Sequence, residues 1–433
     1  MRKVRRIRRE GQGTALITAD VDALPVDAAT VDSKVALIQA LIPLGLLHVE
    51  ATLQQELELL TGPRYARHGG QPGLVRYGRQ PGSVYLADQK LPIQVPRVRD
   101  RGQNQEVPLA TYQRLQVPRG ADEGVLRRIL AGLSCREYVR CAEAVPEAFG
   151  LSASTMSRRY IKASAEKLQA LSARSLEGYD LVALFLDGKT FAADTMVIAL
   201  GVTLHGEKVV LGFVQTGTEN AKVCTAFLRG LVERGLRAED GLLVVIDGGK
   251  GLHAAVEAVF GATAAIHRCQ WHKRENVVAY LPKGEQAALR AQLQAAYAQP
   301  TYEKAKAALG RVHQALAQRN ASAAASLAEG LEETLTLHRL GLAAELGASF
   351  KTTNCIESVN ALVEQRTAKI DYWKNSNQQQ RWLATALLDI EPRLRRVKGY
   401  RHLLALRRAL QAHKDTAAAT ERARTKKAER KAA

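Results

Sequence analysis

No apolar run in this chain approaches the roughly 20 residues that a membrane-spanning helix requires. The first residues, Arg2-Lys3-Val-Arg5-Arg6-Ile-Arg8-Arg9, are basic but lack the apolar core that a secretory signal places directly after such a run. Both absences lead to the expectation of a cytoplasmic protein. The cysteines, Cys135, Cys141, Cys224, Cys269 and Cys355, are odd in number and scattered, which argues against a disulfide framework and fits a reducing compartment. There is no repeat of fixed period, so a solenoid is not expected. Acidic residues are also scarce: 43 Asp and Glu against 62 Lys and Arg leave a formal net charge of +19. An excess of that size makes nucleic acid the leading partner. It is strongest at the ends, with fourteen Lys or Arg against three acids from Pro392 to Ala433.

What is present supports a folded, multidomain protein. At 433 residues, with 46% hydrophobic and 24% charged residues, the chain can bury a full core and divides into two or more domains on size alone. Residues 1–115 read as a basic region with an amphipathic helix from Asp32 to Leu60, ended by Thr61-Gly62-Pro63. A stretch carrying Arg64, Tyr65, Arg67, His68, Arg76, Tyr77 and Arg79 among Gly and Pro follows. Two short strands about a polar turn come next, beginning at Val84. Such a module suits a phosphate backbone, or is a small hairpin with a solvated face.

Residues 116–175 read as helices. Ser134 and Glu137 form a capping-box pattern, Gly150 closes that helix, and Ser152 caps the next. This is helix-turn-helix spacing, which would set Ser154, Thr155, Ser157 and Arg158 near DNA bases or phosphates.

From Leu181 the period changes to that of strands. Leu181–Leu186, Met196–Leu204 and Lys208–Gln215 read as strands, the last two joined at His205-Gly206. A helix, a strand at Leu242–Ile246, a helix and a strand at Ala264–Arg268 complete the order βββαβαβ, a mixed sheet flanked by helices. The first part of this α/β core spans residues 176–283. Residues 284–350 are Ala- and Leu-rich and helical in pattern, as an inserted domain would be. Residues 351–400 resume the core, and residues 401–433 form a basic helical tail.

Three carboxylates fall at telling places. Asp187 and Asp247 each follow a strand-like run, at the strand ends where open α/β sheets place ligands, and Glu357 opens a helical pattern. One Asp-Gly after a strand is an ordinary turn, and one Glu at a helix start is ordinary dipole placement. The ordered set is much rarer by chance. Phosphodiester cleavage needs a deprotonated water or 3′-hydroxyl and relief of charge on the phosphate, which two divalent ions roughly 4 Å apart supply. Hard oxygen ligands suit Mg²⁺, or Mn²⁺, so a few carboxylates suffice.

The order Asp187, Asp247, Cys269-Gln-Trp-His272, Glu357 resembles the Mutator-like class of bacterial insertion-sequence transposases. The closest likeness lies in Val245-Ile-Asp-Gly-Gly-Lys-Gly-Leu252, Arg268-Cys-Gln-Trp-His-Lys-Arg-Glu-Asn276 and Thr353-Asn-Cys-Ile-Glu-Ser-Val-Asn360. The resemblance implies a ribonuclease-H-like α/β catalytic domain with an all-helical insertion before its Glu, preceded by a helix-turn-helix DNA-binding region. It also implies that Asp187, Asp247 and Glu357 hold two catalytic metal ions, with Cys269, His272 and Asn354 supporting the site. Cys269 and His272 could be half of a zinc site, but no second pair stands at zinc-ligand spacing. The pattern departs in one place: many such enzymes carry a Lys or Arg two helical turns after the Glu, where this chain has Glu364. Arg366 and Lys369 are the nearest substitutes for contacting DNA. Trp373 and Trp271 could stack on frayed bases or pack in a core.

The expected function is therefore a transposase that binds the terminal inverted repeats of its element and joins the cut ends to target DNA. Two ends must be held together, so a dimer or larger assembly on double-stranded DNA follows. A DNA-binding regulator that keeps the fold without catalysis, and a ribonuclease-H-like nuclease without strand transfer, are the alternatives.

Overall fold

The structure is a computed structural model that describes residues 29–65, 70–86, 89–116, 121–141, 149–191, 194–217 and 220–416. The basic start, Arg67 and His68, and the basic tail beyond Thr416 lie outside the described residues. Contacts divide the chain into two units, Met1–Val125 with Ser134–Ser157, and Leu126–Leu133 with Arg158–Ala433.

In the first unit, helix α1 (Ala29–Thr61) buries Val49, Leu53 and Leu57, spaced four apart on one face, against Val84, Ile93, Val95 and Val98. Those partners belong to β1 (Leu74–Leu86) and β2 (Gln89–Asp100), which with β3 (Gln105–Val107) form an antiparallel sheet in the order β1-β2-β3. The expected hairpin is there but longer, because β1 already starts at Leu74 and takes in the basic-aromatic stretch. A β-bulge between Arg76 and Arg79, with Gly78 at φ 77°, interrupts its register. Past the bulge the buried positions of β2 shift from Leu91, Ile93 and Val95 to Val98. Arg97 and Arg99 are thereby turned onto the half-exposed Tyr77 ring, 4.8 and 4.6 Å from its centre. Helix α2 (Ala110–Leu115) has its first amides held by the Glu56 carboxylate of α1, at 2.7 Å from Ala110 and 3.0 Å from Thr111.

Three further helices are α3 (Ala121–Leu130), α4 (Tyr138–Cys141) and α5 (Ala153–Ser172). Ser134 and Ser152 act as the expected caps, Glu137 N–H donating to Ser134 Oγ at 3.1 Å and Thr155 N–H to Ser152 Oγ at 3.3 Å, while the Glu137 carboxylate, the other half of the expected box, pairs with Arg140 at 3.0 Å. Gly150 differs from its expected role. It has a positive φ of 93°, but it follows Phe149, which pairs with Lys90 as an isolated β-bridge, rather than a helix. Residues 142–148 of the helix it was expected to close lie outside the described residues.

The second unit is built on a five-stranded sheet in the order β6-β5-β4-β7-β8, from β4 (Leu181–Phe191), β5 (Asp194–Thr203), β6 (Lys208–Thr216), β7 (Leu242–Ile246) and β8 (Ala264–Arg268). The strands β4, β5 and β6 are antiparallel, whereas β7 and β8 run parallel to β4. Helices α6 (Ala221–Glu233) and α7 (Lys250–Phe260) cover one face. There Leu184 and Leu186 of β4 and Leu242, Val244 and Ile246 of β7 share a core with Leu228, Leu231 and Val256. The intervening positions point to the other face, by the period of two of any strand.

After β8 the chain is helical: α8 (Gln270–Val278), α9 (Lys283–Tyr297), α10 (Tyr302–Arg319), α11 (Ala321–Ala328), α12 (Leu331–Thr334), α13 (Thr336–Arg339), α14 (Ala343–Phe350), α15 (Asn354–Thr367), α16 (Ser376–Ile390) and a last helix over residues 403–416. The helical segment has its own core of Leu289, Leu293, Leu309, Leu316 and Leu327, and that core already includes Val277 and Val278 of α8. It returns to the sheet through Thr336, whose hydroxyl donates to Ile266 O at 2.6 Å, and through Phe350, whose ring stacks on Phe185 at 5.6 Å. Among the described residues no helix is long and apolar enough to cross a membrane.

Phe350 and Phe185 are both fully buried. Replacing Phe350 by Ala should cost about 3–5 kcal/mol, the usual cost of emptying an aromatic site. Urea unfolding of wild type and variant measures it, and a loss under about 1 kcal/mol would mean that the ring does not anchor the helical return.

Candidate active site

The position of the acids follows from strand register. In β4 and β7, Phe185 pairs with Val245 and Leu186 with Ile246; in β7 and β8, Val245 pairs with His267 and Ile246 with Arg268. Leu184, Leu186, Val244 and Ile246 face α6 and α7, so Asp187 and Asp247, one residue on, fall on the opposite face of neighbouring strands. Such strands stand about 4.8 Å apart. Cys269 extends the row across β8, its N–H donating to Ile246 O at 2.8 Å.

One expectation needs correction here. Asp187 does not end its strand: β4 continues to Phe191, and Asp187 pairs with Ile198 of β5. The cause is the β4–β5 hairpin, which outlasts the parallel partner β7. Asp187 therefore sits where β7 stops, as expected, but inside a strand, and it is only 8% exposed. Asp247 does follow the last residue of β7, and its Oδ1 accepts the Gly249 N–H at 3.0 Å.

Helix α15 covers this face and brings the third acid. Glu357 lies in its first turn, and Asn360, three residues on, shares that side of the helix. Asn360 Nδ2 donates to Asp187 Oδ2 at 2.9 Å, and the Thr353 hydroxyl donates to Glu357 Oε1 at 2.5 Å. The same hydroxyl stands 3.3 Å from His272 Nδ1 and 3.5 Å from Cys269 Sγ. Cys269 also caps α8, its sulfur accepting the His272 N–H at 3.5 Å. Thr353 thus joins the Cys269-x-x-His272 turn to Glu357.

Charge couples the same group. Burial pushes the Asp187 carboxyl up to about 6, and the charges of Asp247 and Glu357 push in the same direction against an opposing His272. His272 is raised to about 9, first by its hydrogen bond with Cys269 and further by the charges of Cys269, Asp247 and Glu357. Burial alone would raise the Cys269 thiol, but hydrogen bonds from His272 and Thr353 bring it below its ordinary value. The structure thus brings Asp187, Asp247, Glu357, Cys269 and His272 within electrostatic reach of one another. Among the described residues, no three His, Cys, Asp or Glu side chains are grouped closely enough to hold a metal ion as they stand.

The remaining sequence candidates are placed differently. Asn354 is exposed at the start of α15. Arg366 is engaged with Asp389 at 3.1 Å, and Glu364 with Lys189 at 3.1 Å, while Lys369 is exposed. Trp373 packs against Phe191 and Trp382, at 4.8 and 6.4 Å, in an aromatic cluster, whereas Trp271 is 46% exposed with its ring edge-to-face with His272. On α5, Ser154 and Arg158 are exposed, and Thr155 and Ser157 half-buried.

Three residues escaped the reading of the sequence. Thr353 and Asn360 are visible only as neighbours of Glu357 in one motif, and the spacing of Asn360 from Glu357 was the available signal. Arg268, the last residue of β8, stood only as the first residue of the Arg268–Asn276 motif, with no role assigned to it. It is 8% exposed, and its guanidinium donates to Gly248 O at 2.9 Å and to Glu329 O at 3.3 Å.

A mixed sheet with acids gathered on one face, and a helical segment separating the second acid from the third, defines an α/β protein with an acidic site assembled from distant parts of the chain. The model of the family described as "Transposase, Mutator family" matches residues 26–395, and the chain belongs to that family. It is 30% identical over 287 residues to the transposase of insertion sequence element IS6120 from Mycolicibacterium smegmatis, covering 65% of this chain and 87% of that one. It is also 25% identical over 314 residues to the IS256 transposase in transposon Tn4001 from Staphylococcus aureus, covering 69% of this chain and 77% of that one. A third relative is the IS905 transposase of Lactococcus lactis, 28% identical over 277 residues, 62% of this chain and 68% of that one. Members of such a family cut and join DNA.

The raised Asp187 carboxyl sets a pH dependence. The native state holds this proton more tightly than the unfolded chain, so stability is highest below the ordinary carboxylate value of 3.8 and falls as pH rises to about 6. Above that the cost is complete, about 3 kcal/mol. In metal-free buffer Asp187→Asn should therefore melt higher than wild type at pH 8, with the gap closing near pH 4. Melting curves at the two pH values check it, and a variant less stable at pH 8 would contradict the assignment.

Proposed function

We propose that this transposase mobilises an insertion sequence, cutting DNA at the element's terminal inverted repeats and joining the 3′ ends to target DNA, with Asp187, Asp247 and Glu357 as the acids that hold its metal ions. The observation that carries this reading is the convergence of the three acids, two from aligned parallel strands and one from α15. The strand order β6-β5-β4-β7-β8, three antiparallel strands followed by two parallel ones, supports a ribonuclease-H-like catalytic domain. On this reading that domain comprises residues 176–283 and 351–400, residues 284–350 being its insertion.

The donor chemistry fits Mg²⁺ or Mn²⁺. All three groups offer hard carboxylate oxygens, and a cation among them would offset the burial and the two neighbouring acids that push the Asp187 carboxyl up to about 6. Seating an ion requires the carboxylates to draw closer than they stand here. Bound, two such ions would lower the pKa of a water or 3′-hydroxyl and offset charge on the phosphate. The chain's own part is to hold the acids: Asn360 fixes the orientation of Asp187, and Thr353 that of Glu357. His272, raised to about 9, keeps a positive charge beside Glu357 and Asp247 at neutral pH.

DNA would be held elsewhere. The first turn of α5, with Ser154 and Arg158 exposed and Thr155 and Ser157 beside them, suits the reading helix of a helix-turn-helix over residues 116–175. The basic ends add salt-dependent affinity, whereas beside Tyr77 the Arg97 guanidinium is already paired with Glu106 at 2.7 Å and that of Arg99 with Asn104 Oδ1 at 2.7 Å. Lys369 is open to DNA, whereas Arg366 and Trp373 are occupied within the fold and serve it indirectly at most. Two ends held together imply a dimer or larger assembly on DNA.

The test uses the DNA flanking the coding sequence, with Mg²⁺, and compares wild type with Glu357→Gln and Asp187→Asn. Wild type should nick at the element boundary and join the ends. Both variants should lose cutting by roughly three orders of magnitude while end binding stays within a few-fold. End binding by wild type without any cutting would make the chain a DNA-binding regulator.

A further inference from the structure

We propose that Arg268 is a positioning residue that clamps the Asp247 loop to the helical segment, so that the acidic site is complete only while that segment is docked. The inference rests on the reading of Asp247 as a site acid and adds what holds it.

The guanidinium passes between two backbones that are remote in sequence. On one side Nη2 donates to Gly248 O at 2.9 Å, and on the other Nη1 donates to Glu329 O at 3.3 Å, at the junction of α11 and α12. Each backbone offers a glycine. A Cβ on Gly248 would lie 2.0 Å from Arg268 Nε, and one on Gly330 2.2 Å from Nη1. Both glycines also have positive φ, 110° and 63°, where a side chain is strained in any case. Two glycines so far apart, both making room for one side chain, mark a built contact rather than an incidental one.

The cost of the placement supports this. Arg268 is nearly buried, and its Nε has no hydrogen-bond partner, a state that native structures tolerate where something else requires it. The charge is met by Glu329, 3.7 Å from Nη2 and 3.8 Å from the buried Lys273 ammonium. The fork is therefore spent on two carbonyls, one from each side of the joint. The Gly248 peptide lies between Asp247 and Gly249, the residue whose N–H holds Asp247 Oδ1 at 3.0 Å. Fixing that peptide fixes the carboxylate.

A lysine keeps the charge but cannot bridge two carbonyls with one planar group. The full-length chain should therefore be compared as wild type, Arg268→Lys and Gly330→Ala. The second variant leaves the arginine in place and presses on it from the helical side. Mn²⁺ alone is the probe, titrated by its electron paramagnetic resonance signal, with urea unfolding and DNA-end binding as controls. Both variants should shift the Mn²⁺ midpoint upward by roughly tenfold or more, as loss of an outer contact does in other metal sites, with end binding within a few-fold of wild type. Cleavage should fall and recover in part at high Mn²⁺. A purely structural role would lower the urea midpoint and leave the Mn²⁺ midpoint alone, and that result in either folded variant overturns the inference. A wild-type chain with no saturable Mn²⁺ binding would instead remove the reading of the acids, and the clamp with it.

Discussion

The parallel register of β4, β7 and β8 is the constraint from which the rest of the site follows. Because side chains alternate with a period of two, aligning Phe185 with Val245 and Val245 with His267 decides which residues share a face. A slip of one residue would turn Asp187 or Asp247 into the α6–α7 core and bring Leu186 or Ile246 out beneath α15. The buried leucines, valines and isoleucines on the α6–α7 side therefore specify the acidic row as surely as the acids themselves do. Hydrophobic burial on one face places like charges together on the other.

That placement is unfavourable by itself. A nearly buried Asp beside two further acids is pushed toward protonation, and the fold counters it with hydrogen bonds from Asn360 and Thr353 and with the cationic His272. The Cys269-x-x-His272 turn has a place in this scheme without zinc. Its sulfur caps α8, its imidazole carries positive charge toward the acids, and Thr353 ties both to the helix that bears Glu357. Elements that look separate in the chain, a strand end, a helix start and a second helix start, meet at one hydroxyl.

Much of this was legible in the sequence. The βββαβαβ order, the helical stretch before Glu357 and the capping residues Ser134 and Ser152 all follow local rules of periodicity and caps, and local rules are what a single sequence carries best. The strand end at Asp187 was misjudged because Asp-Gly reads as a turn, while pairing with β5 keeps the chain extended to Phe191. Arg366 was a candidate for DNA until Asp389, on another helix, claimed it. Trp373 and Trp271 had similar basic neighbours, and only tertiary packing sends one into an aromatic cluster and leaves the other exposed. The role of Arg268 was invisible because its partners are main-chain carbonyls, and a carbonyl has no letter in the sequence. The glycines at 248 and 330 were the one trace, readable only once their common neighbour is known.

The return of the chain through Phe350 and α15 also has a consequence for synthesis on the ribosome. By the time β8 has emerged, the strands that carry Asp187 and Asp247 can pair, but the helices that cover their outer face come roughly sixty residues later, from Leu331 of α12 onward to α15. At ~5–20 residues per second that delay is of the order of ten seconds. Throughout it Phe185 and His267 face water, or whatever chaperone shields them. A nascent chain is in this way vulnerable to aggregation, and the three acids cannot meet until α15 has been made.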